Sequence, residues 1–296
     1  MSLQWTQEQV WKTAPKFTLR SFQETVDGGQ AFRWHCKDSV AVGQWADIAV
    51  RLRHANDFIM VSFPKSLELE AIKRLEALDD YFAVKSSLAN HVDSLPWRSD
   101  SVLALSIQAF PELRILRQPF SETLFCFLCS STKQIPQIKA ICELVARDQG
   151  KRIAEGMFAL PDWRSIAANG ELRLRQAKLG YRARYIYQTA CLLADRPDYF
   201  DELEKLPTHE ARSALMQLPG VGRKIADCTL LFGAGRLDAF PIDTWIEKIL
   251  IRSYQLEGWS SKQLQKFASV HFGENAGLAQ QFLFSAARAG LIADRS

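Results

Sequence analysis

The sequence predicts an α+β fold, in which a small N-terminal antiparallel β-sheet domain precedes a larger all-helical body. Before residue 64, apolar and polar residues alternate with a period of two in short segments separated by turn residues, which is typical of strands joined by hairpins. After Pro64, apolar residues recur at helical spacing almost to the end of the chain. We find no internal repeat and no low-complexity tract in either region.

These patterns also predict the individual elements and the domains. We expect strands at 17–24, 31–36, 40–48, 50–53 and 58–63, with turns at 27–29 and 54–57. We expect helices at 66–78, 101–110, 120–131, 136–148, 161–168, 181–194, 208–217, 223–232, 243–254, 261–271 and 275–289. The predicted domains are 1–112, mainly β, and 113–296, a helical region of two lobes with a helix-hairpin-helix at about 208–233.

Composition and charge exclude several classes of protein without identifying one. The 296 residues are 47% hydrophobic and 24% charged, which is ordinary for a globular protein. No apolar run approaches the ~20 residues that span a bilayer, and the segment after Met1 does not resemble a signal peptide. The net charge of +4 is too small to establish nucleic-acid binding unless the charge is clustered.

The cysteines predict reduced thiols. Most of the six lie in apolar helical runs, at positions 36, 126, 129, 142, 191 and 228. Cys126 and Cys129 form the only close pair, and on an apolar helix core packing is favoured over a metal or redox site. We therefore expect an intracellular protein, in the cytoplasm or nucleoid of a bacterium or in the nucleus of a eukaryote.

The most informative segment is a short turn between two predicted helices, at 215–228. One helix ends near Leu218, Pro219 cannot extend it, and Gly220 and Gly222 allow a close approach of the backbone before a new helix starts near Arg223. This helix-hairpin-helix pattern predicts backbone N–H groups that contact a DNA phosphate. Carbonyl groups near Leu218 and Val221 are candidates to hold a monovalent cation. The alternative is a plain interhelical turn, which seldom has this sequence followed by basic residues.

Lys224 and Asp243 are the candidate catalytic pair. Lys224 lies in the first turn of the second helix, where the helix dipole and Arg223 favour the neutral amine that nucleophilic attack requires. Cys228 is four residues further and shares its helix face. Asp243 precedes an apolar-periodic helix in the N-cap position, where a carboxylate stays fixed and ionised. A solvated lysine and an ordinary helix cap are the alternatives for each residue taken alone.

A second candidate pair, Gln280 and Phe284, lies four residues apart on the last predicted helix. A glutamine amide can read the edge of a nucleobase, and an aromatic ring can stack on its face. Taken alone, Phe284 is better explained as a core residue.

Together these residues resemble the helix-hairpin-helix glycosylase superfamily, and more closely its 8-oxoguanine DNA glycosylase branch. The resemblance covers roughly residues 17–288. It is most specific in four blocks, at 29–34, at 117–118 with 124–131, at 179–185, and from the hairpin through Asp243.

The resemblance implies a bifunctional DNA glycosylase and abasic-site lyase that acts on double-stranded DNA containing oxidised guanine. By similarity, Lys224 attacks the sugar C1′ and forms a Schiff base, Asp243 assists, and β-elimination then cleaves the strand. The damaged base must first be flipped out of the duplex.

The resemblance also implies a base pocket. Cys228 and Phe284 would sandwich the base, Gln280 would bind its Watson–Crick edge, and Pro241 would complete the wall. The carbonyl of Gly29 would accept a hydrogen bond from N7–H, which 8-oxoguanine has and guanine lacks. An unprotonated N7 facing that carbonyl costs on the order of 1–3 kcal/mol. From the residues alone, a hairpin turn is the favoured explanation of Gly29.

The DNA contacts that the resemblance implies are partly altered in this chain. Tyr181 resembles the wedge that fills the vacated stack, and Arg182 a contact to the orphaned base. Thr132 and Gln137 stand where animal and fungal members have an asparagine and an arginine, which puts cytosine recognition in doubt and predicts a relaxed opposite-base preference. Trp245 replaces a histidine, which puts one phosphate contact in doubt.

We expect no cofactor. No cysteine follows Cys228, so the iron–sulfur cluster of endonuclease III and the adenine glycosylases cannot be built. We further expect a monomer that binds DNA and no membrane. Two alternatives remain open: a non-catalytic helix-hairpin-helix DNA-binding protein, and a glycosylase of the same superfamily for another damaged base.

Overall fold

The computed structural model describes residues 3–292, and for residues 68–71 it describes the backbone alone. A five-stranded antiparallel sheet precedes a mostly helical body, which confirms the predicted α+β fold class. The strand order is β1-β5-β4-β3-β2. The strands are β1 Gln9–Val10, β2 Trp34–Lys37, β3 Val40–Trp45, β4 Ile48–Ala55 and β5 Phe58–Ser62.

Two-residue turns connect β3 to β4 and β4 to β5. Asn56, in the second turn, has a φ of 53°, a left-handed conformation that asparagine tolerates better than most residues. We expected the chain to turn after residue 48, but the turn lies at residues 46–47. Residue 48, predicted as the end of one strand, is therefore the first residue of β4, which also contains the strand predicted at 50–53.

The predicted strand at 17–24 is wrong. This segment lies in a helix, α1 Leu19–Asp27, whose first turn is capped by Thr18 Oγ1 accepting from the Ser21 N–H at 3.1 Å. Phe22 and Val26, four residues apart, are buried against the sheet. In so short a segment the same apolar positions fit a period of two and a helical face, and the cap decides for the helix.

The helical body contains the remaining helices and a second small hairpin. The helices are α2 Ala71–Tyr81, α3 Leu88–Asp93, α4 Ser101–Ala109, α5 Phe120–Leu128, α6 Ile135–Gln149, α7 Trp163–Gln176, α8 Arg182–Leu193, α9 Tyr199–Glu204, α10 Thr208–Leu215, α11 Arg223–Phe232, α12 Thr244–Arg252, α13 Ser261–His271 and α14 Ala276–Arg288. The hairpin is β6 Arg152–Ala154 with β7 Met157–Phe158, and 3-10 turns lie at Lys65–Glu70 and Gly273–Asn275. Sequence analysis missed α3, α9 and this hairpin. Between residues 3 and 292, no helix is long and apolar enough to cross a membrane.

Two large apolar cores lie in different parts of the molecule, and a small third cluster contains Ala49, Ala154 and Met157. The sheet and α1 enclose an aromatic cluster in which Trp45 stacks on Tyr81 at 4.1 Å and Trp34 donates to the Tyr81 hydroxyl at 3.0 Å. The larger core lies among the helices and includes Leu95 and Leu103, which precede the boundary predicted at 112–113. That boundary remains a prediction.

A buried glutamine joins the two parts next to a positive-φ glycine. The Gln30 amide donates to the carbonyls of Thr25 at 3.0 Å and Arg114 at 2.8 Å, and its oxygen accepts from the Leu116 N–H at 2.8 Å. Each of these bonds is buried or partly buried, so each contributes to holding the turn in place. The position of Gly29 is therefore determined by both parts of the fold.

The helix-hairpin-helix is formed by α10, the turn at 216–222, and α11. Asp227 of α11 is fully buried and pairs with the Arg212 guanidinium of α10, which ties the two helices together. Burial raises the pKa of the Asp227 carboxyl, and the Arg212 charge opposes that shift. The Pro219 carbonyl accepts from Thr189 Oγ1 at 3.0 Å, which fixes the turn to α8.

Gly220 should be the glycine of this turn on which folding stability depends. Its φ is 78°, and an added Cβ would lie 2.7 Å from Tyr185 Cβ. We expect Gly220→Ala to lower the free energy of unfolding by at least about 2 kcal/mol, since both backbone strain and overpacking act against alanine. Thermal and urea unfolding would measure the change.

The matched control for stability is Gly222→Ala. Gly222 has a negative φ of −87°, and an added Cβ would meet nothing within 4 Å. Equal stability of the two variants would contradict the role given to Gly220.

Candidate active site

A cavity of about 850 Å³ lies between the turn at residue 29, α5, α11 and α14. It brings together candidate residues that are far apart in the sequence: Gly29, Thr132, Lys224, Cys228, Pro241, Asp243, Trp245, Gln280 and Phe284. Ile135, Glu247, Gln281 and Arg288 also line it, although sequence analysis did not single them out.

Lys224 enters the cavity from the first turn of α11. Its amine donates a hydrogen bond to Ser130 Oγ at 3.2 Å and lies 5.2 Å from the centre of the Phe127 ring. The side chain is half-buried. Ser130 and Phe127 lie in one of the blocks that carry the family resemblance, but no local pattern connects them to a lysine 94 residues away.

Asp243 caps α12, as its sequence position predicts. Its Oδ1 accepts from the N–H groups of Trp245 at 3.0 Å and Ile246 at 2.9 Å. Both bonds use the same oxygen, so the other carboxylate oxygen takes no part in the cap. Two backbone donors hold this carboxylate in one orientation at the cavity wall.

Cys228 contributes a neutral wall. Burial raises the pKa of its thiol to about 12, an effect that the nearby Lys224 charge only partly offsets. The thiol therefore stays protonated at neutral pH and acts by shape rather than by charge.

Gly29 lies close to Phe284 at this cavity. Its φ is 107°, and an added Cβ would lie 2.7 Å from Ile135 Cδ1 and 3.6 Å from Phe284 Cε1. Any side chain at this position would be strained and would intrude between these residues. The absence of a Cβ leaves the backbone close to the space that a ligand can enter.

Gln280 brings an unsatisfied polar group to the same site. Its side chain is buried, and its Oε1 has no hydrogen-bond partner among the described residues. Buried polar atoms are seldom left unpaired, so this amide is a candidate to bind a polar ligand.

The hairpin presents an open helix N-terminus outside the cavity. Gly222 is the N-cap of α11, its backbone is exposed, and no side chain caps the first turn. The first N–H groups of a helix have no intrahelical acceptor, so this end suits an anion such as a phosphate. Arg223 is half-exposed beside it. The Leu218 carbonyl accepts from the Val221 N–H at 3.1 Å, and cation binding at these carbonyls remains a prediction.

Two aromatic side chains are exposed where DNA contacts are expected. Tyr181 is 53% exposed at the start of α8, with Tyr185 edge-on to it at 6.4 Å. Trp245 is 47% exposed and lines the cavity. Large exposed aromatic rings of this kind suit contacts with unstacked bases.

The residues expected at the orphaned base have other partners in this structure. Arg182 is only 5% exposed, and its guanidinium donates to the Ser131 carbonyl and to Thr132 Oγ1. The same group lies 4.4 Å from the centre of the Tyr181 ring. Gln137 caps α6, with its Oε1 accepting from the Gln134 N–H at 3.1 Å.

All six cysteines are free thiols. Cys126 and Cys142 approach each other at 3.7 Å between α5 and α6, inside the helical core. Within residues 3–292, no group of three or more His, Cys, Asp or Glu side chains is arranged to hold a metal ion.

Comparison with known proteins adds independent evidence. Residues 13–124 match the family described as 8-oxoguanine DNA glycosylase, N-terminal domain. The chain is 30% identical to an N-glycosylase/DNA lyase of Arabidopsis thaliana over 288 residues, covering 88% of this chain and 76% of that protein. A 122-residue segment is 37% identical to a probable N-glycosylase/DNA lyase of Methanothermobacter thermautotrophicus, covering 41% of this chain and 39% of that protein.

A solved structure extends the similarity to the whole fold. The Clostridium acetobutylicum 8-oxoguanine glycosylase/lyase, in complex with double-stranded DNA containing cytosine opposite the lesion, superposes with a TM-score of 0.82 and 25% identity. The superposition covers 92% of each chain. With the Arabidopsis relative matched over most of both sequences, the chain belongs to the 8-oxoguanine DNA glycosylase family.

Proposed function

We propose that this protein excises 8-oxoguanine from duplex DNA and then cleaves the strand, with the Lys224 amine as nucleophile. The observation that supports the proposal is that Lys224 and Asp243 line the same cavity as Gly29 and Gln280. A non-catalytic DNA-binding protein would need the open hairpin but not this arrangement.

The covalent step joins Lys224 to the sugar. The neutral amine attacks C1′, the N-glycosidic bond breaks, and its electron pair leaves with the base, which takes up a proton. The fixed Asp243 carboxylate stabilises the positive charge that develops on the sugar. The C1′–O4′ bond then breaks, O4′ leaves with its electron pair and takes up a proton, and a protonated Schiff base remains between C1′ and the lysine nitrogen.

The lyase step uses the same bond to the enzyme. The Schiff base draws electrons from C2′. A proton acceptor therefore removes a C2′ proton, and the C3′–O bond breaks. The 3′-phosphate leaves with that electron pair. Water then hydrolyses the Schiff base, which regenerates the Lys224 amine.

The cavity wall provides groups that suit the damaged base. Cys228 offers a neutral surface, Phe284 an aromatic one, and Gln280 an unpaired amide oxygen. We propose that the Gly29 carbonyl accepts from N7–H of 8-oxoguanine, and that Tyr181 fills the stack when the base leaves the duplex.

The contacts of Arg182, Thr132 and Gln137 support a relaxed opposite-base preference. Each side chain already has a partner within the protein, and a threonine and an uncharged glutamine offer weaker contacts than an asparagine and an arginine. Each lost contact removes about 1–3 kcal/mol of discrimination between bases.

The proposed reaction uses only protein side chains and water, and it requires no cofactor. We also propose that the protein acts as a monomer inside the cell, in the compartment that holds the chromosome.

The first test compares base release from duplexes containing 8-oxoguanine, uracil, 3-methyladenine, or adenine opposite 8-oxoguanine. We expect release of 8-oxoguanine from both duplexes that contain it, and no release of uracil, 3-methyladenine or adenine. Release of 3-methyladenine or uracil instead of 8-oxoguanine would show that the enzyme acts on another damaged base.

Lys224→Gln should abolish base release and trapping by borohydride while lesion binding remains measurable, because glutamine has no nucleophilic amine. Single-turnover excision, borohydride trapping and a binding titration would check this. Lys73→Gln, which changes an exposed lysine of α2, is the control. Near-normal excision by Lys224→Gln would remove Lys224 as the nucleophile.

Asp243→Asn should slow excision by about a hundredfold or more with little change in stability, since asparagine caps a helix nearly as well but carries no charge. The rate is measured under single turnover and the stability by thermal unfolding. A lowered melting temperature with a normal rate would leave Asp243 as a cap only.

The wild-type protein should excise 8-oxoguanine opposite all four bases with rates within about tenfold of one another. Thr132→Asn should raise the preference for cytosine, since it restores an amide. It should also raise the free energy of unfolding by about 1 kcal/mol, because Thr132 has a φ of 54°, where asparagine is less strained than a β-branched residue.

Excision against each partner base checks this prediction. Lys133→Ala and Gln134→Ala, measured in parallel, test whether a neighbouring side chain reads the base instead. A preference of about a hundredfold or more for cytosine in the wild type would contradict relaxed recognition.

A further inference from the structure

Ser130 has an unusual relation to the candidate nucleophile. It follows the C-terminus of α5, is nearly buried, and donates its hydroxyl proton to the Phe127 carbonyl at 2.7 Å. Because that proton is used, the hydroxyl oxygen can only accept from Lys224 Nζ, which lies 3.2 Å away. The hydroxyl is therefore oriented by the backbone before the amine meets it.

The chemical nature of this partner suits a nucleophile. Lys139, by contrast, is a buried lysine that pairs with the Asp27 carboxylate. In the described part of the chain, Lys224 forms no ion pair with a carboxylate, and its hydrogen bond goes to a neutral hydroxyl. Such a partner fixes the position of the nitrogen without forming an ion pair with it.

The long lysine side chain needs such a constraint. Its four rotatable bonds allow the nitrogen many positions, and a misplacement of about 1 Å from the reacting carbon can cost a hundredfold in rate. Ser130 and the Phe127 ring together limit the nitrogen to one part of the cavity.

We propose that Ser130 is a positioning residue, which holds the Lys224 amine in line with C1′ when it attacks the intact lesion and when it attacks a preformed abasic site. The proposal rests on the proposed function of Lys224. The proposed role of Ser130 predicts the rates of two reactions. Since the same amine forms the Schiff base with the intact lesion and with a preformed abasic site, loss of Ser130 should slow both reactions by a similar factor.

The test uses Ser130→Ala in single-turnover assays on an 8-oxoguanine duplex and on a duplex with a preformed abasic site. We expect both rates to fall about tenfold, which corresponds to one lost hydrogen bond. Affinity for lesion DNA should stay within about twofold. Ser130→Thr, which keeps the hydroxyl, should retain both rates.

The matched control is Ser106→Ala. Ser106 is a buried serine of α4 whose hydroxyl also donates to a backbone carbonyl, that of Val102 at 2.8 Å, and among the described residues it has no hydrogen bond to a lysine. The Ser106→Ala variant should lower the melting temperature as much as Ser130→Ala does and leave both reaction rates unchanged. In a Lys224→Gln background, Ser130→Ala should not alter lesion binding.

Three outcomes would overturn the proposal: unchanged rates in Ser130→Ala, a slowing of base release alone, or a Ser130→Thr variant as slow as the alanine variant. A loss of lesion binding in the Lys224→Gln background would likewise show that Ser130 acts on the base pocket. If Ser130→Ala fails to fold, the rates of Ser130→Thr on the lesion duplex and on the abasic duplex test the proposal instead. A wild-type protein inactive on both substrates would instead refute the proposed function.

Discussion

The first turn of helix α11 is the feature on which the rest of the site depends. Its N-terminus has no side-chain cap, so its first N–H groups lack a capping acceptor beside Gly222, and a phosphate could satisfy them. Lys224 lies in the same turn and points into the cavity. In the proposed reaction, the phosphate at the hairpin and the amine that attacks the sugar would thus be separated by about one turn of backbone.

The rest of the fold keeps that turn in place. Asp227 anchors α11 to α10 through Arg212, Gly220 lets the hairpin approach Tyr185, and α5 supplies Ser130 and Phe127. On the opposite wall, Gln30 ties the Gly29 turn to both parts of the molecule. The cavity is therefore lined by the turn at residue 29, which joins α1 to β2, together with α5, α11 and α14 of the helical body.

What the sequence could predict was local. The hairpin, the first-turn position of Lys224 and the cap at Asp243 each depend on residues within a few positions, and so does the helical periodicity. The contacts of Lys224 with Ser130 and of Arg182 with Thr132 span 94 and 50 residues, and no short-range pattern reports them. The strand predicted at 17–24 was wrong for another reason. A short apolar pattern fits both a strand and a helix, and here the Thr18 cap decides for the helix.

The central claim is that the Lys224 amine becomes bonded to the sugar. Borohydride reduction of the protein with an 8-oxoguanine duplex, followed by protease digestion and mass spectrometry, tests it most directly. We expect a single modified peptide that contains Lys224, with the sugar remnant on its side chain. A remnant on another lysine or on the N-terminal amine, or release of the base with no trapped adduct, would contradict the account.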